Sequence, residues 1–182
     1  WKCRSSTVCV YERIKIGVKM DKHIGLYIHI PFCKSKCYYC DFASYANRNE
    51  QMEPYILSLE KEMKLYSKLL QNKKIDTVFI GGGTPTVLPL DLMQRILSSI
   101  FSYFNIENQA EITIESNPGT LNIDTLQLLK EHHVNRLSMG LQAYQNQLLK
   151  SIGRIHTVEE FIDNFYLARK LGFKNINIDL MF

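Results

Sequence analysis

The chain has 182 residues, of which 46% are hydrophobic and 22% are charged, and its formal net charge at pH 7 is +4. This composition excludes a disordered protein and suffices for one domain with a hydrophobic core, and the scattered lysines and arginines indicate no nucleic-acid partner. No apolar run reaches the roughly 18 residues of a transmembrane helix and no signal peptide is visible, so we expect a cytoplasmic protein.

The first residues of the chain differ from those that follow. Residues 1–19 show no clear period, whereas Met20 fits a translation start just before the first strand pattern. We therefore expect 1–19 to be a non-native or disordered leader and 20–182 to be the N-terminal part of a core domain. In such a leader Cys3 and Cys9 would have no role.

The rest of the chain alternates strand and helix patterns, with short loops between them. Hydrophobic alternation predicts five strands, at 25–30, 76–80, 110–115, 135–142 and 174–182. Helical spacing predicts four helices, at about 53–70, 93–104, 123–132 and 157–172, the last with a capping box formed by Thr157 and Glu160. This order is typical of an α/β protein with a parallel sheet. A doubly wound sheet and a β/α barrel both fit the pattern. The last strand pattern has nothing after it to pack against, so we expect the domain to be truncated after about its fifth strand.

Unusual residues lie at or just after the carboxyl end of each predicted strand. They are Cys33, Cys37 and Cys40 after the first strand, Gly81, Gly82 and Gly83 after the second, and Glu115, Gln142 and Asp179 near the ends of the other three. In parallel α/β folds these strand ends face one side of the sheet, and binding sites are built there. We therefore expect these residues to meet at one rim.

Three cysteines in the stretch YIHIPFCKSKCYYCDF have the spacing C-x3-C-x2-C. A structural zinc site needs four ligands, and no fourth is evident, while a redox pair of the C-x2-C type would leave Cys33 unexplained. Thiolates are also the ligands of iron–sulfur clusters, and three of them on a four-iron cluster would leave one iron open for chemistry. Three buried thiols, or a zinc site completed from elsewhere, remain alternatives.

The other motifs are weaker when each is taken alone. The glycines of FIGGGTPT would let a ligand approach the backbone, but a tight turn explains them equally well. Arg154 in GRIHT could bind a carboxylate or lie on the surface. His29, between apolar neighbours, is predicted to be a hydrogen-bonded core residue.

Taken together, the motifs resemble those of the radical S-adenosylmethionine (SAM) superfamily. YIHIPFCKSKCYYCDF, FIGGGTPT, ITIESNPGT, NRLSMGLQ, GRIHT and NINIDLMF follow the order of its coproporphyrinogen-III-oxidase-like branch, and in particular of the HemW-type heme chaperones. The resemblance covers residues 25–182. It implies a partial β/α, TIM-like barrel.

The resemblance also implies roles for individual positions. Cys33, Cys37 and Cys40 would hold a [4Fe-4S] cluster, whose free iron would bind SAM. The positions that match SAM contacts are Tyr27, Tyr39, Gly82, Gly83, Thr84, Glu115, Gln142, Arg154 and Asp179. An electron from the cluster would cleave SAM to methionine and a 5′-deoxyadenosyl radical. No catalytic side chain is assigned.

Two functions follow from the resemblance, and whether the protein is an enzyme stays undecided between them. A heme chaperone would bind heme and deliver it to respiratory hemoproteins. An oxygen-independent coproporphyrinogen III oxidase would oxidatively decarboxylate two propionate groups of its substrate. The true oxidases resemble C-x3-C-x2-C-x-C, whereas Phe42 stands at the last position here, which favours the chaperone. A redox-inert zinc-binding or cluster-binding fold is a third hypothesis.

Overall fold

The computed structural model describes residues 7–12, 24–71 and 73–182. The strands are β1 (Val8–Glu12), β2 (Ile24–Ile30), β3 (Phe32–Cys33), β4 (Tyr45–Ala46), β5 (Lys74–Gly82), β6 (Asn105–Ser116), β7 (Arg136–Gln142) and β8 (Asn175–Leu180). The α-helices are α1 (Met52–Leu69), α2 (Leu90–Tyr103), α3 (Ile123–Glu131), α4 (Asn146–Ser151) and α5 (Val158–Lys170). Short 3-10 helices cover Asn49–Gln51 and Pro85–Val87. Within these ranges no helix has both the length and the apolar character needed to cross a membrane.

The main sheet has six strands in the order β1-β2-β5-β6-β7-β8. The five strands from β2 to β8 are parallel, and β1 is antiparallel to β2. The parallel strands follow one another in chain order, as in a β/α barrel, whereas a doubly wound sheet reverses direction at a switch point. The sheet has two edges, so the prediction of a partial β/α barrel is confirmed.

One face of the sheet, which we call the outer face, is apolar and packs against helices. Its buried residues include Leu26, Ile28, Val78, Ile80, Ile112, Ile114, Leu137 and Met139. The helices α1 and α2 contribute Ile56, Leu59, Met63, Met93, Ile96, Leu97 and Ile100 to the same core. Burying this apolar surface is the main stabilising contribution to the fold. The apolar residues on this face recur along the strands, which explains why the five strands were predictable.

The structure differs from the predicted elements in a few places. Strand β6 begins at Asn105, five residues earlier than predicted, because a mostly exposed polar stretch pairs with the start of β5. Helix α4 and the two-residue pair β3–β4 were not predicted. The capping box of Thr157 and Glu160 at the start of α5 is confirmed.

Five residues of the predicted leader lie in the sheet. Val8–Glu12 forms β1, and Thr7 just before it hydrogen-bonds to Glu62 on α1 through its backbone and its side chain. The remainder of 1–19, and Met20 with it, falls outside the described residues. The division of the chain at Met20 therefore stays a prediction.

Candidate functional site

The face of the sheet opposite the outer face, which we call the inner face, is largely polar. Each strand alternates, so the neighbour of a buried apolar residue points to this side. The register aligns Glu115 of β6 with Ser138 of β7 and Asn177 of β8, and Gly140 of β7 with Asp179 of β8. A polar face in the interior of a half-barrel marks the side where a ligand can bind.

A cavity of about 140 Å³ lies at the carboxyl end of the parallel strands. Eleven of the predicted site residues line it: Cys33, Cys37, Cys40, Tyr39, Gly82, Gly83, Thr84, Glu115, Gln142, Arg154 and Asp179. Residues from all five predicted strand ends thus meet at one rim, as the parallel arrangement predicts. Tyr27 is the exception, because it does not line the cavity. The roles of these residues stay predictions.

The cysteine loop is held at its base and at its tip. At the base, β3 and β4 pair side by side, and the backbone N–H of Thr84 donates to the carbonyl of Phe32 at 2.7 Å. At the tip, the N–H of Tyr38 donates to the carbonyl of Ile152 at 3.1 Å. The Lys36 ammonium bonds across the loop to the carbonyl of Phe42 at 3.0 Å. These contacts fix the loop that carries the three thiols.

The glycine motif permits close packing beside this loop. Gly82 has φ of +115°, and a Cβ there would lie 2.4 Å from the ring of His29. A Cβ on Gly83 would lie 2.6 Å from the carbonyl oxygen of Phe32. Any larger side chain would therefore separate the end of β5 from the cysteine loop.

Each of the three thiols has a polar side chain beside it. The hydroxyl of Thr84 donates to Cys33 Sγ at 3.6 Å, and Arg154 Nη1 donates to Cys37 Sγ at 3.7 Å. Cys40 Sγ lies 3.8 Å from the hydroxyl of a neighbouring serine. Burial raises the pKa of the Cys33 thiol, although the hydrogen bond from Thr84 opposes that shift. All three cysteines are free.

The donor set fits an iron–sulfur cluster better than a single ion. Among the described residues, no three His, Cys, Asp or Glu side chains converge on a point where one metal ion could sit. A four-iron cluster places each thiolate on a different iron, so its ligands surround the cluster without meeting at one point. Three cysteines lining one cavity fit that requirement, and on a four-iron cluster they would leave one iron for another ligand.

Tyr27 is linked to the cysteine loop by hydrogen bonds through His29. The Tyr27 hydroxyl lies 3.0 Å from His29 Nδ1, and His29 Nε2 lies 2.8 Å from the carbonyl oxygen of Ala43 in the cysteine loop. The Ala43 carbonyl can only accept, so Nε2 donates to it, and Nδ1 of the neutral ring accepts from the Tyr27 hydroxyl. Burial, and the nearby charge of Glu115, raise the pKa of Tyr27 to about 12. His29 is hydrogen-bonded as predicted, but it is only half-buried, and it links β2 to the cysteine loop and not to the core.

Two carboxyl groups face the cavity from β6 and β8. Glu115 Oε2 accepts the backbone N–H of Gly82 at 2.8 Å, and burial together with the charge of Asp179 raises the pKa of Glu115. Asp179 accepts from Ser138 at 3.3 Å and from Asn177 at 2.7 Å. Neither of these two partners was predicted from the sequence. A cationic group in the cavity would relieve the repulsion between the two carboxylates.

Arg154 is half-buried and is held by several hydrogen bonds. Its Nη2 donates to Asn117 Oδ1 at 2.8 Å and to the carbonyl of Gly140, and its Nη1 lies 3.5 Å from the hydroxyl of Tyr39. Asn117 also donates to the hydroxyl of Thr84 at 2.8 Å. Asn117 was not singled out in the sequence, because no local signal shows its partners.

Gln142, at the end of β7, has an unusual backbone conformation. Its φ of 69° lies in the left-handed region, where residues other than glycine are uncommon. The register of β7 against β8 shifts between Gly140 and Gln142, which marks a bulge at this point. Such conformations are often found at ligand sites, where the surrounding contacts compensate for the strain.

Curated relatives match most of this chain. It is 40% identical over 163 residues to the heme chaperone HemW of Lactococcus lactis subsp. lactis, covering 90% of this chain and 42% of the relative. It is 36% identical over 169 residues to the oxygen-independent coproporphyrinogen-III oxidase-like protein HemZ of Bacillus subtilis, covering 90% and 34%. The chain therefore spans about two-fifths or less of the length of these relatives.

A solved structure matches the fold of this chain, and a family model matches its sequence. The solved structure of coproporphyrinogen III oxidase (HemN) from Escherichia coli, a radical SAM enzyme, superposes with a TM-score of 0.80 at 32% identity, covering 85% of this chain and 36% of that one. The partial barrel thus matches part of that solved structure. The model of the radical SAM superfamily matches residues 27–182. The resemblance seen in the motifs is confirmed, and the chain belongs to the radical SAM superfamily.

Proposed function

We propose that the cavity at the strand ends binds a [4Fe-4S] cluster through Cys33, Cys37 and Cys40 and binds SAM beside it. The observation that carries this proposal is that the three thiols and eight of the nine matched SAM positions line the same cavity, although they are spread from Cys33 to Asp179. When bound, the cluster would supply the electron for reductive cleavage of SAM. The protein would bind and orient SAM and keep water from it.

The chemistry of the cavity suits the groups that SAM carries. SAM has an ammonium, a sulfonium and a carboxylate close together at its methionine end. The paired carboxyl groups of Glu115 and Asp179 favour the cationic groups. Arg154 offers Nη1, whose contacts to Tyr39 and Cys37 are long, to the carboxylate. Gly82 and Gly83 allow the backbone of β5 to approach the ligand.

For the protein that contains this chain we propose the function of a heme chaperone in the cytoplasm. Several heme chaperones HemW are about 40% identical to this chain, which supports the proposal. Phe42 supports the proposal further. It stands at the position where the motif of the oxidases has a fourth cysteine, and it lines the cavity with 64% of its surface exposed. The heme cargo and its delivery to respiratory hemoproteins belong to this proposal.

The second candidate is an oxygen-independent coproporphyrinogen III oxidase. It is favoured by the superposition on HemN. The two candidates differ in what happens to the porphyrin, because an oxidase converts two propionates to vinyl groups whereas a chaperone leaves its cargo unchanged.

The test uses the complete reading frame that contains these residues, with its cluster reconstituted without oxygen. The protein receives SAM, a reductant and coproporphyrinogen III, and formation of protoporphyrinogen is followed. In parallel, heme is titrated and its absorption is recorded. We expect heme binding without turnover. Turnover of coproporphyrinogen III would overturn the chaperone in favour of the oxidase. A protein that neither binds heme nor converts coproporphyrinogen III would overturn both proposals.

A further inference from the structure

We propose that His156 is a positioning residue, which holds the guanidinium of Arg154 so that its Nη1 edge faces the cavity and receives the carboxylate of SAM. The inference rests on the proposed function, because it needs an anionic ligand group beside Arg154. Nothing in the sequence distinguishes His156 from a surface histidine before a helix.

The burial of His156 lowers the stability of the fold, which suggests that the residue has a role in the site. The residue is 5% exposed and directly precedes Thr157, the N-cap of α5. Its Nδ1 accepts a hydrogen bond from Arg154 Nε at 3.3 Å. Its Nε2 is buried and makes no hydrogen bond of normal geometry within the part of the chain that the structure describes, although the backbone of Leu141 lies close enough to the ring to favour its charged form. A buried polar atom without a partner lowers stability, so such atoms in native proteins call for an explanation.

The hydrogen bond to Nδ1 defines the state of the ring. A neutral imidazole has one accepting and one donating nitrogen, so acceptance at Nδ1 places the proton on Nε2. Burial, and the charge of Arg154 in second place, lower the pKa of His156 to about 4, against the opposing effect of the Leu141 carbonyl. The ring is therefore neutral at pH 7 and able to accept from a cation.

The partners of Arg154 show which of its edges is free for a ligand. The guanidinium has five N–H groups in a rigid planar fork. The Nε–H is used by His156, and the two N–H groups of Nη2 are used by Asn117 and Gly140. Nη1 is left with contacts of 3.5 Å and 3.7 Å, to Tyr39 Oη and Cys37 Sγ, which are the weakest of the set.

Fixing two edges of a planar group fixes the third. With Nε and Nη2 bonded, the guanidinium cannot rotate, and Nη1 must point toward Cys37 and the cavity. A carboxylate beside the cluster could then replace the two long contacts with short charge-assisted ones. Without the acceptor on His156, the plane of Arg154 would be held on one side only. The benefit of His156 is thus preorganisation of the binding site.

Two variants separate the acceptor from the bulk of the ring. His156→Phe removes the acceptor and keeps a planar ring, whereas His156→Asn keeps an acceptor at the position of Nδ1. SAM affinity is measured by equilibrium dialysis on the anaerobically reconstituted chain, with iron content and melting temperature recorded for each variant. We expect roughly tenfold weaker SAM binding for His156→Phe, and less than about threefold for His156→Asn, at unchanged iron content. Loss of iron in His156→Phe, or equal effects of the two variants, would overturn the inference.

A double-mutant cycle with Arg154→Lys tests whether His156 acts through Arg154. Lysine cannot use the fork, so His156→Phe should cost almost nothing further in that background. An equal cost in both backgrounds would show an independent role and overturn the inference. If Arg154→Lys weakens SAM binding and His156→Phe does not, only this inference fails. If the parent chain binds no SAM, or Arg154→Lys has no effect, the proposed function fails as well.

The cofactor-free chain gives a second readout, independent of SAM. Nitrogen-15 NMR distinguishes the two neutral tautomers of histidine and the charged form, and His156→Asn identifies the signal of His156 by its loss. We expect a neutral ring with its proton on Nε2 at pH 7. A proton on Nδ1, or a charged ring at that pH, would overturn the inference, because neither state accepts a hydrogen bond from Arg154 Nε.

Discussion

Neighbouring residues on β6 belong to two different environments. Ile114 lies on the outer face with no exposed surface, while Glu115 lies on the inner face, bonded to Gly82 N–H and close to Asp179. The outer face buries apolar surface and contributes stability. The inner face buries a carboxyl group, which costs stability and leaves a polar wall for a ligand. One strand thus contributes to the core on one face and to the proposed binding site on the other, and substitutions on its two faces should have opposite signatures.

The largest effect is expected where the inner face meets the cysteine loop. Cys37→Ala should abolish cluster binding, because three thiolates are the minimum for this cluster and none can be spared. Iron and sulfide analysis after anaerobic reconstitution should fall from about four of each per chain to background. The matched control is Cys9→Ala, which lies outside the motif and should keep the full content. Full iron in Cys37→Ala would contradict the ligand assignment.

The next effect concerns the outer face and stability alone. Ile114→Ala should lower the free energy of unfolding by about 2–5 kcal/mol, because it removes buried methyl groups and leaves a cavity. Ile178→Ala, on the same face of β8, is the control and should cost clearly less, since Ile178 is 38% exposed. Urea unfolding of the cofactor-free chain measures both. Similar losses for the two variants would contradict the distinction between core and edge.

A smaller effect is expected at the carboxyl end of β7. A Cβ on Gly140 would lie 2.8 Å from Gln142 Nε2 and 3.0 Å from Arg154 Nη2, so Gly140→Ala should displace both side chains. We expect SAM affinity to fall about tenfold, or about 1.4 kcal/mol, with little change in stability. Equilibrium dialysis gives the affinity and thermal unfolding gives the stability. SAM binding equal to that of the parent would show that these side chains do not need their present positions.

The smallest effect has the opposite sign on stability. Because burial raises the pKa of Glu115 above its unfolded value, the native state binds this proton more tightly than the unfolded state. Its contribution to stability is therefore full at low pH and is lost as the pH rises through the raised pKa. Glu115→Gln keeps the acceptor for Gly82 and removes the charge.

In the cofactor-free chain we expect Glu115→Gln to be more stable than the parent at pH 8, on the order of 1 kcal/mol, and similar to it near pH 4. The same variant should bind SAM more weakly, since a carboxylate that faces the cationic groups is gone. Urea unfolding at both pH values checks the first expectation. A variant less stable than the parent at pH 8 would mean that the charge of Glu115 stabilises the fold.

The outer face could be predicted from the sequence because its signal is local. Alternating apolar residues revealed the five parallel strands, and helical spacing revealed α1, α2, α3 and α5. The cysteine motif was equally visible, since Cys33, Cys37 and Cys40 lie within eight residues. The polar positions at the strand ends were predictable to the extent that parallel strands place their carboxyl ends on one side.

The supporting residues of the site could not be predicted, because their partners are far away in the chain. Asn117 bonds to a residue 33 positions away, and Arg154 reaches a thiol 117 positions away. His156 looks ordinary until its burial and its contact with Arg154 are known. Tyr27 was assigned to the SAM site from the resemblance; it does not line the cavity, and its hydroxyl contacts His29. Hydrogen bonds between distant loops leave no periodic pattern in a sequence.

The central claim, that this cavity places SAM against a cluster with an open iron, is tested most directly by electron paramagnetic resonance. The anaerobically reconstituted chain is reduced with dithionite, and its spectrum is recorded with and without SAM. We predict the signal of a reduced four-iron cluster that changes shape when SAM is added, because SAM would bind to the iron that lacks a cysteine. A four-iron signal that SAM leaves unchanged would contradict the account.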